Sequence, residues 1–249
     1  MRLYYYTGPN HVEENLKRKR LKLSRFGVGG KLNDPFELSA YNLNDKAFRK
    51  VHKKISENFA SKIGFLCLSE TKHSPLMWAH YTKNHHGICL ELEVEYDPLF
   101  KINYEEERLF PGITLANHKQ YINIGNIKKI MGTKSRDWSY EEEWRMQVPL
   151  DSEAVEVDGD GRVFLPFQNR RDLNFNLKKI YVGYRCNLGI NNLQRWVKDH
   201  RYTVEIVQTR PAFETFSVVK QKNRAFWNWD VVADGDPCPA EKALHGADG

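Results

Sequence analysis

The sequence predicts an α+β protein, with mixed and antiparallel central sheets flanked by helices. Three observations predict it. Apolar residues alternate with polar ones through "ICLELEVEY" at 88–96, the period of a strand with one buried face. Phe48, Val51, Ile55 and Phe59 recur every three or four residues within 45–62, the period of a helix with one apolar stripe. The remaining short apolar runs follow one another without regular βα alternation, which excludes a doubly wound parallel sheet.

The elements follow in order. "RLYYYT" at 2–7 reads as a strand ended by Gly8-Pro9, and "HVEENLKRKR" as a short basic helix whose Lys17-Arg18-Lys19-Arg20 run is a solvated face or a weak phosphate contact. "LKLS" is a second strand. Gly29-Gly30 and Asn33-Asp34-Pro35 make "FGVGGKLNDPFE" a loop. After the 45–62 helix comes a buried strand, "GFLCLSE". Ser74-Pro75 is then an N-cap with proline at the first helical position, so a helix carries "LMWAHY" and a turn ends at Gly87. "KINYE" reads as a strand, 117–131 as a helix, and "VFLPF", "LKKIYVG" and "YTVEIVQT" as strands with the helix "INNLQRWVKDH" before the last. The expectation is one domain over 1–233 and a disordered Pro/Gly-rich tail over 234–249.

Composition limits the function classes. With 41 % hydrophobic residues the chain can bury a core, and the formal net charge of +6 with a pI near 9.0 favours acidic partners only weakly. Cys67, Cys89, Cys186 and Cys238 show no C-x-x-C spacing, so neither a disulfide framework nor a Cys-rich zinc site is expected. The opening residues have no h-region and no apolar run reaches 18 residues. The expected compartment is the cytoplasm, with no membrane partner.

The segment richest in chemistry is "WSYEEEWR" at 138–145. Read as a strand over 138–148, Trp138, Tyr140, Trp144, Met146 and Val148 fall on one face, with Glu142 the exception. Glu141, Glu143 and Arg145 fall on the other. Residues two apart on a strand face are roughly 6.5–7 Å apart. Arg145 would then hold one carboxylate ionised while the second faces a ligand, and the aromatic face would anchor the strand in the core. The bland alternative is a charged edge strand or the acidic start of a helix.

Other clusters carry the same ambiguity. Asn33 and Asp34 in "NDPFE" either close a turn on their own backbone or reach a ligand. Trp78 and Tyr81 are either a core stripe or ring-binding surfaces, with His80 able to act as acid or base near neutral pH. His80, His85 and His86 raise a metal question, but His-x4-His-His is not a standard zinc spacing, and no metal is assigned.

Three of these clusters, "NDPFE" at 33–37, "PLMWAHYTKNHHGICLEL" at 75–92 and "WSYEEEWR", together with "LYYYT" and "IYVG", resemble a bacterial family known only as domain of unknown function 2971. The resemblance runs from Leu3 to about Tyr184. More distantly, the order of elements resembles the ADP-ribosyltransferase core and its split sheet. That resemblance implies NAD as substrate, with Glu143 as catalytic acid and Glu141 and His80 assisting. Tyr5, Thr7, Asn33, Asp34, Ser69, Trp78, Tyr81 and Arg145 would bind NAD. Many members of that family show His or Arg where this chain has "YYYT". An acceptor protein or nucleic acid, and a setting in toxins or phage defence, are implied in the same way. Two alternatives stand beside it: a metal-dependent nuclease using the three histidines with Glu141 and Glu143, and a nucleotide-sensing module without turnover.

Overall fold

The computed structural model describes residues 1–25, 33–94, 99–109, 124–167, 175–231, 236 and 239. Along them run β1 (Arg2–Thr7), α1 (Val12–Lys17), β2 (Arg20–Lys22), β3 (Ser24–Arg25), α2 (Lys46–Lys62), β4 (Ile63–Ser69), α3 (Pro75–Tyr81) and β5 (Ile88–Val94). There follow β6 (Leu99–Lys101), β7 (Asn103–Glu105), α4 (Ile124–Met131), β8 (Thr133–Ser135), a 3-10 helix (Arg136–Glu141), β9 (Glu143–Pro149) and β10 (Glu156–Val157). The last elements are β11 (Val163–Pro166), β12 (Phe175–Val182), α5 (Ile190–Asp199), β13 (Glu205–Pro211), β14 (Val218–Lys220) and a 3-10 turn (Arg224–Phe226). Helices and mixed sheets together make the protein α+β, as the sequence predicts. Gly29-Gly30, residues 117–123 of the predicted helix and nearly all of the predicted tail lie outside the described residues.

The chain divides into two compact units: Met1–Leu21, Leu68–Asp97 and Pro166–Gly249 form the first, Lys22–Cys67 and Pro98–Leu165 the second. In the first, strands stand in the order β14-β13-β12-β5-β1, and Tyr4 of β1 also pairs with Ser69. β12 and β13 run parallel with α5 between them in the chain, while β1–β5, β5–β12 and β13–β14 run antiparallel. Leu3, Leu92, Phe175 and Ile180 are fully buried, and α5, packed on α1 and β13, buries Ile190, Leu193, Trp196 and Val197.

The second unit orders β4, β9 and β6, with β3 on β4. β10 pairs with β11, whose Val163 carbonyl accepts from the Leu23 N–H at 2.8 Å. The core joins Leu38, Tyr41, Phe48, Ala60 and Phe65 to Ile130 and Met131. Each large side chain buried there contributes about 1.5–3 kcal/mol. α2 begins where Asp45 accepts from the Phe48 N–H at 2.6 Å, and Phe48, Val51 and Phe59 form its packed stripe.

Four local expectations give way. β5 is buried on both faces, Cys89 and Glu91 included, and Tyr181 hydrogen-bonds the Glu91 carboxylate. The basic run is no helical face: α1 stops at Lys17, Lys19 turns left-handed (φ 51°), and Arg20 enters β2 buried, donating to Asn15 at 3.1 Å. Residues 138–148 are not one strand, since a 3-10 helix ends at Glu141 and Glu142 reverses the chain at φ 44° before β9 starts. "KINYE" splits between β6 and β7 at Ile102.

Candidate functional site

The second unit gathers the acids and bases of "NDPFE" and "WSYEEEWR" into one buried cluster. Asp34 accepts the Phe36 N–H at 2.8 Å, and with Pro35 this turn delivers Glu37 inward. β8 supplies Lys134, paired in register with Tyr104 of β7. The Ser135 hydroxyl caps the following 3-10 helix by accepting from Asp137 at 3.4 Å, and the helix ends on Glu141. The left-handed Glu142 then restarts the chain as a strand, so that Glu143 and Arg145 share a face.

The contacts are close. Lys134 Nζ lies 2.6 Å from Glu141 Oε2, 2.9 Å from Glu143 Oε2 and 3.7 Å from Glu37 Oε2. Arg145 donates from Nε to Glu143 Oε1 at 2.7 Å and from Nη2 to Glu143 Oε2 at 3.1 Å. It also donates to both oxygens of Glu37, at 2.6 and 2.9 Å, and to the Met131 carbonyl at 2.9 Å. A guanidinium has five N–H donors, and all of Arg145's are used inside the cluster. The Glu143–Arg145 pairing expected from the spacing is present, but on a buried face.

Three carboxylates surround two cations, so the cluster carries one negative charge in excess. Burial alone would raise the Glu143 carboxyl, but Arg145 and Lys134 outweigh it and hold it down at about 2. Burial would likewise lower the Lys134 ammonium, and Glu143, Glu37 and Glu141 reverse that to a net rise. Neighbouring neutral groups stay protonated. Burial and then Glu143 push the Cys67 thiol up, burial pushes the Tyr104 phenol up, and burial with Glu141 raises Tyr140 to about 12. The Tyr104 hydroxyl accepts from the Glu143 N–H at 2.9 Å. Asp34 is 5 % exposed; its Oδ2 has no hydrogen-bond partner among the described residues, and burial raises its carboxyl.

The first unit holds the other predicted residues. Tyr5 and Thr7 are half-buried on β1, opposite Leu90 and Ile88 of β5. The Ser69 hydroxyl is buried and closes a turn, accepting the Thr71 N–H at 3.1 Å and donating to the Thr71 carbonyl at 3.2 Å. α3 starts where Ser74 accepts from the Met77 N–H, as its sequence predicts. It carries Trp78 fully buried, Tyr81 half-buried and His80 exposed against the edge of Tyr81. Trp78 Nε1 donates to the Lys72 carbonyl at 2.8 Å, and its ring meets Tyr6 edge-on at 5.4 Å and stacks parallel to His85 at 6.1 Å.

A tight turn positions that stack. Lys83, Asn84 and His85 are all left-handed, at φ 53°, 54° and 68°. Gly87 then passes so close to β1 that a Cβ there would sit 2.0 Å from the Thr7 carbonyl, and one on Gly183 would sit 2.0 Å from the His85 carbonyl. His85 therefore lies between Trp78 and Tyr184, 4.8 Å from the latter. Burial, helped by Arg185 and His86, lowers its imidazole to about 4, so the ring is neutral at neutral pH. Among the described residues, no group of three His, Cys, Asp or Glu side chains is placed to hold a metal ion.

Asn33 is exposed at the start of its described segment, Asp34, Glu141, Glu143 and Arg145 meet in the second unit, and Trp78, His80 and Tyr81 share α3 in the first. Sequence reasoning missed Glu37, Lys134 and Tyr104. Glu37 was visible as the last residue of "NDPFE"; nothing local marks Lys134. Residues 77–146 match the family model described as Protein of unknown function (DUF2971), so the resemblance to that family is borne out. The matched stretch contains Trp78, His80, Tyr81, Lys134, Glu141, Glu143 and Arg145. No curated protein and no solved structure matches the chain. Among the described residues no helix is long and apolar enough to cross a membrane.

Proposed function

We propose that this chain is an ADP-ribosyltransferase-like enzyme that cleaves the nicotinamide–ribose bond of NAD. The C1′–N bond breaks, nicotinamide leaves with the bonding electrons, and an acceptor nucleophile on a protein, a nucleic acid or water bonds to C1′ and gives up its proton. The observation that carries this reading is Glu143, buried, ionised and set in a cluster with one more carboxylate than it has cations. Bond cleavage builds positive charge on the ribose, as in glycoside hydrolysis, and a fixed anionic centre lowers that barrier. Glu143 is assigned the stabilising carboxylate and Glu141 its partner. Arg145, its donors all engaged, positions Glu143. Asn33 and Asp34, in the same unit as Glu143, are assigned contacts to the NAD.

The mutual saturation of Arg145 and its two carboxylates favours a second reading, a nucleotide-sensing module that binds without turnover. Purified protein incubated with NAD separates the two. Nicotinamide release that falls by a factor of about 10² or more in a folded Glu143→Gln variant supports the enzyme. Nucleotide binding by calorimetry with no nicotinamide released supports the sensor and rules out the first reading. The resemblance to ADP-ribosyltransferases suggests toxin or phage-defence action, which growth arrest on expression, lost in the same variant, would test.

A further inference from the structure

We propose that the β13–β14 hairpin and the segment after it form a stacking platform for single-stranded nucleic acid. The proposal goes beyond the glycosyl-transfer reading and does not depend on it. The hairpin tip holds Phe213 76 % exposed and Phe216 fully exposed, the two most exposed large hydrophobic side chains among the described residues. The tip is built, not loose. Thr209, Arg210 and Pro211 pair with Lys220, Val219 and Val218, the Ala212 N–H donates to the Ser217 carbonyl at 2.8 Å, and Thr215 and Ser217 share a hydroxyl hydrogen bond of 2.7 Å. Two phenyl faces are thus presented to solvent on a rigid support, with little ordering left to do on binding.

Planar cations accompany the rings. The Arg210 guanidinium lies over Phe213 at 4.1 Å, and Arg224 lies over Trp229, which is half-buried, at 6.0 Å and against the buried Trp227 at 4.9 Å. Between Arg210 and Arg224 the chain carries Arg210, Lys220, Lys222 and Arg224 against Glu214 alone, and among the described residues only Lys220 of these cations is tied to an acid, Glu205 at 3.1 Å. Rings that accept any base face, beside guanidinium and ammonium groups that meet phosphates, are the elements of sequence-tolerant single-strand binding. The neighbouring hydroxyls of Thr215 and Ser217 suit base edges better than acyl chains.

The test is anisotropy of a labelled mixed-sequence 15-mer, in DNA and RNA forms, with the full chain. Binding should weaken with salt, with a slope of log K on log salt of about −2, as expected for three phosphate contacts on a single strand. The Phe213→Ala/Phe216→Ala variant, its fold checked by circular dichroism, should bind about tenfold to a hundredfold more weakly. Lys222→Glu should flatten the salt slope. No oligonucleotide binding, or equal binding by the double variant, overturns the proposal. So do binding of phosphatidylserine vesicles in place of the oligonucleotide, or a dimer that the double variant abolishes.

Discussion

Glu143 in the second unit and Glu91 in the first are the same side chain, 4 % and 2 % exposed, kept buried by different chemistry. Glu143 is held by ions, with Arg145 and Lys134 on its two oxygens. Glu91 is held mainly by hydroxyls: Tyr181 donates to Oε2 at 2.8 Å and Tyr4 at 3.4 Å, while Arg2 stands 3.8 Å from Oε1. Lys72 reaches this site through a ring, donating to the Tyr4 hydroxyl at 3.1 Å and lying 4.9 Å from the Tyr4 centroid. A network of buried full charges fails sharply when one member goes, because the rest are left buried and uncompensated. A carboxylate held by phenols loses one charge-assisted hydrogen bond at a time, so each loss should be smaller.

The comparison breaks first at Arg145. Arg145→Met leaves Glu37 and Glu143 buried with Lys134 as their remaining cation, and should cost about 3–5 kcal/mol in urea unfolding. A loss under about 1 kcal/mol would mean that the ions are not what holds this cluster. Next is acid. Glu143 sits below its ordinary 4.5 at about 2, so the stability it contributes is complete above pH 4.5 and disappears as pH falls towards 2. The unfolding curve of Glu143→Gln should be flatter than wild type across that window. On the other side of the comparison, Tyr181→Phe should cost about 1.5–3 kcal/mol, since one charge-assisted hydrogen bond to a buried carboxylate is lost. A cost equal to that of Arg145→Met would erase the distinction.

The smallest effect has the opposite sign. Burial raises the folded Asp34 carboxyl above its ordinary 3.8, so ionising it opposes folding, more so as pH rises past that value. Asp34→Asn keeps the acceptor for the Phe36 N–H and should stabilise the protein slightly at pH 7, by less than about 1 kcal/mol, and not at all well below 3.8.

What the sequence disclosed was local. The caps Asp45 and Ser74, the proline after Ser74, the three-and-four stripe of α2 and the strand-face pairing of Glu143 with Arg145 all need only a few neighbouring residues, and all are present. What it concealed depends on distant partners. Arg145 takes Glu37 from 108 positions away, and Glu91 is buried because Tyr181 stands 90 positions on. The reversal at Glu142 hid behind three identical acids, where a simple parity count runs straight through a turn. The exposed phenylalanines of the β13–β14 hairpin gave no periodic signal, because they serve no core.

The chain visits its two compact units alternately, with junctions after Leu21, Cys67, Asp97 and Leu165. A cut at any one of these junctions divides the first unit, and a cut after Cys67 or Asp97 divides the second as well. A protease nick, a stop codon or a fusion boundary placed there therefore never leaves the first unit whole, so deletion mapping would misreport where an activity of that unit resides. Point substitution in the intact chain is the suitable dissection tool, and complementation between co-expressed fragments should require both pieces to recover the first unit.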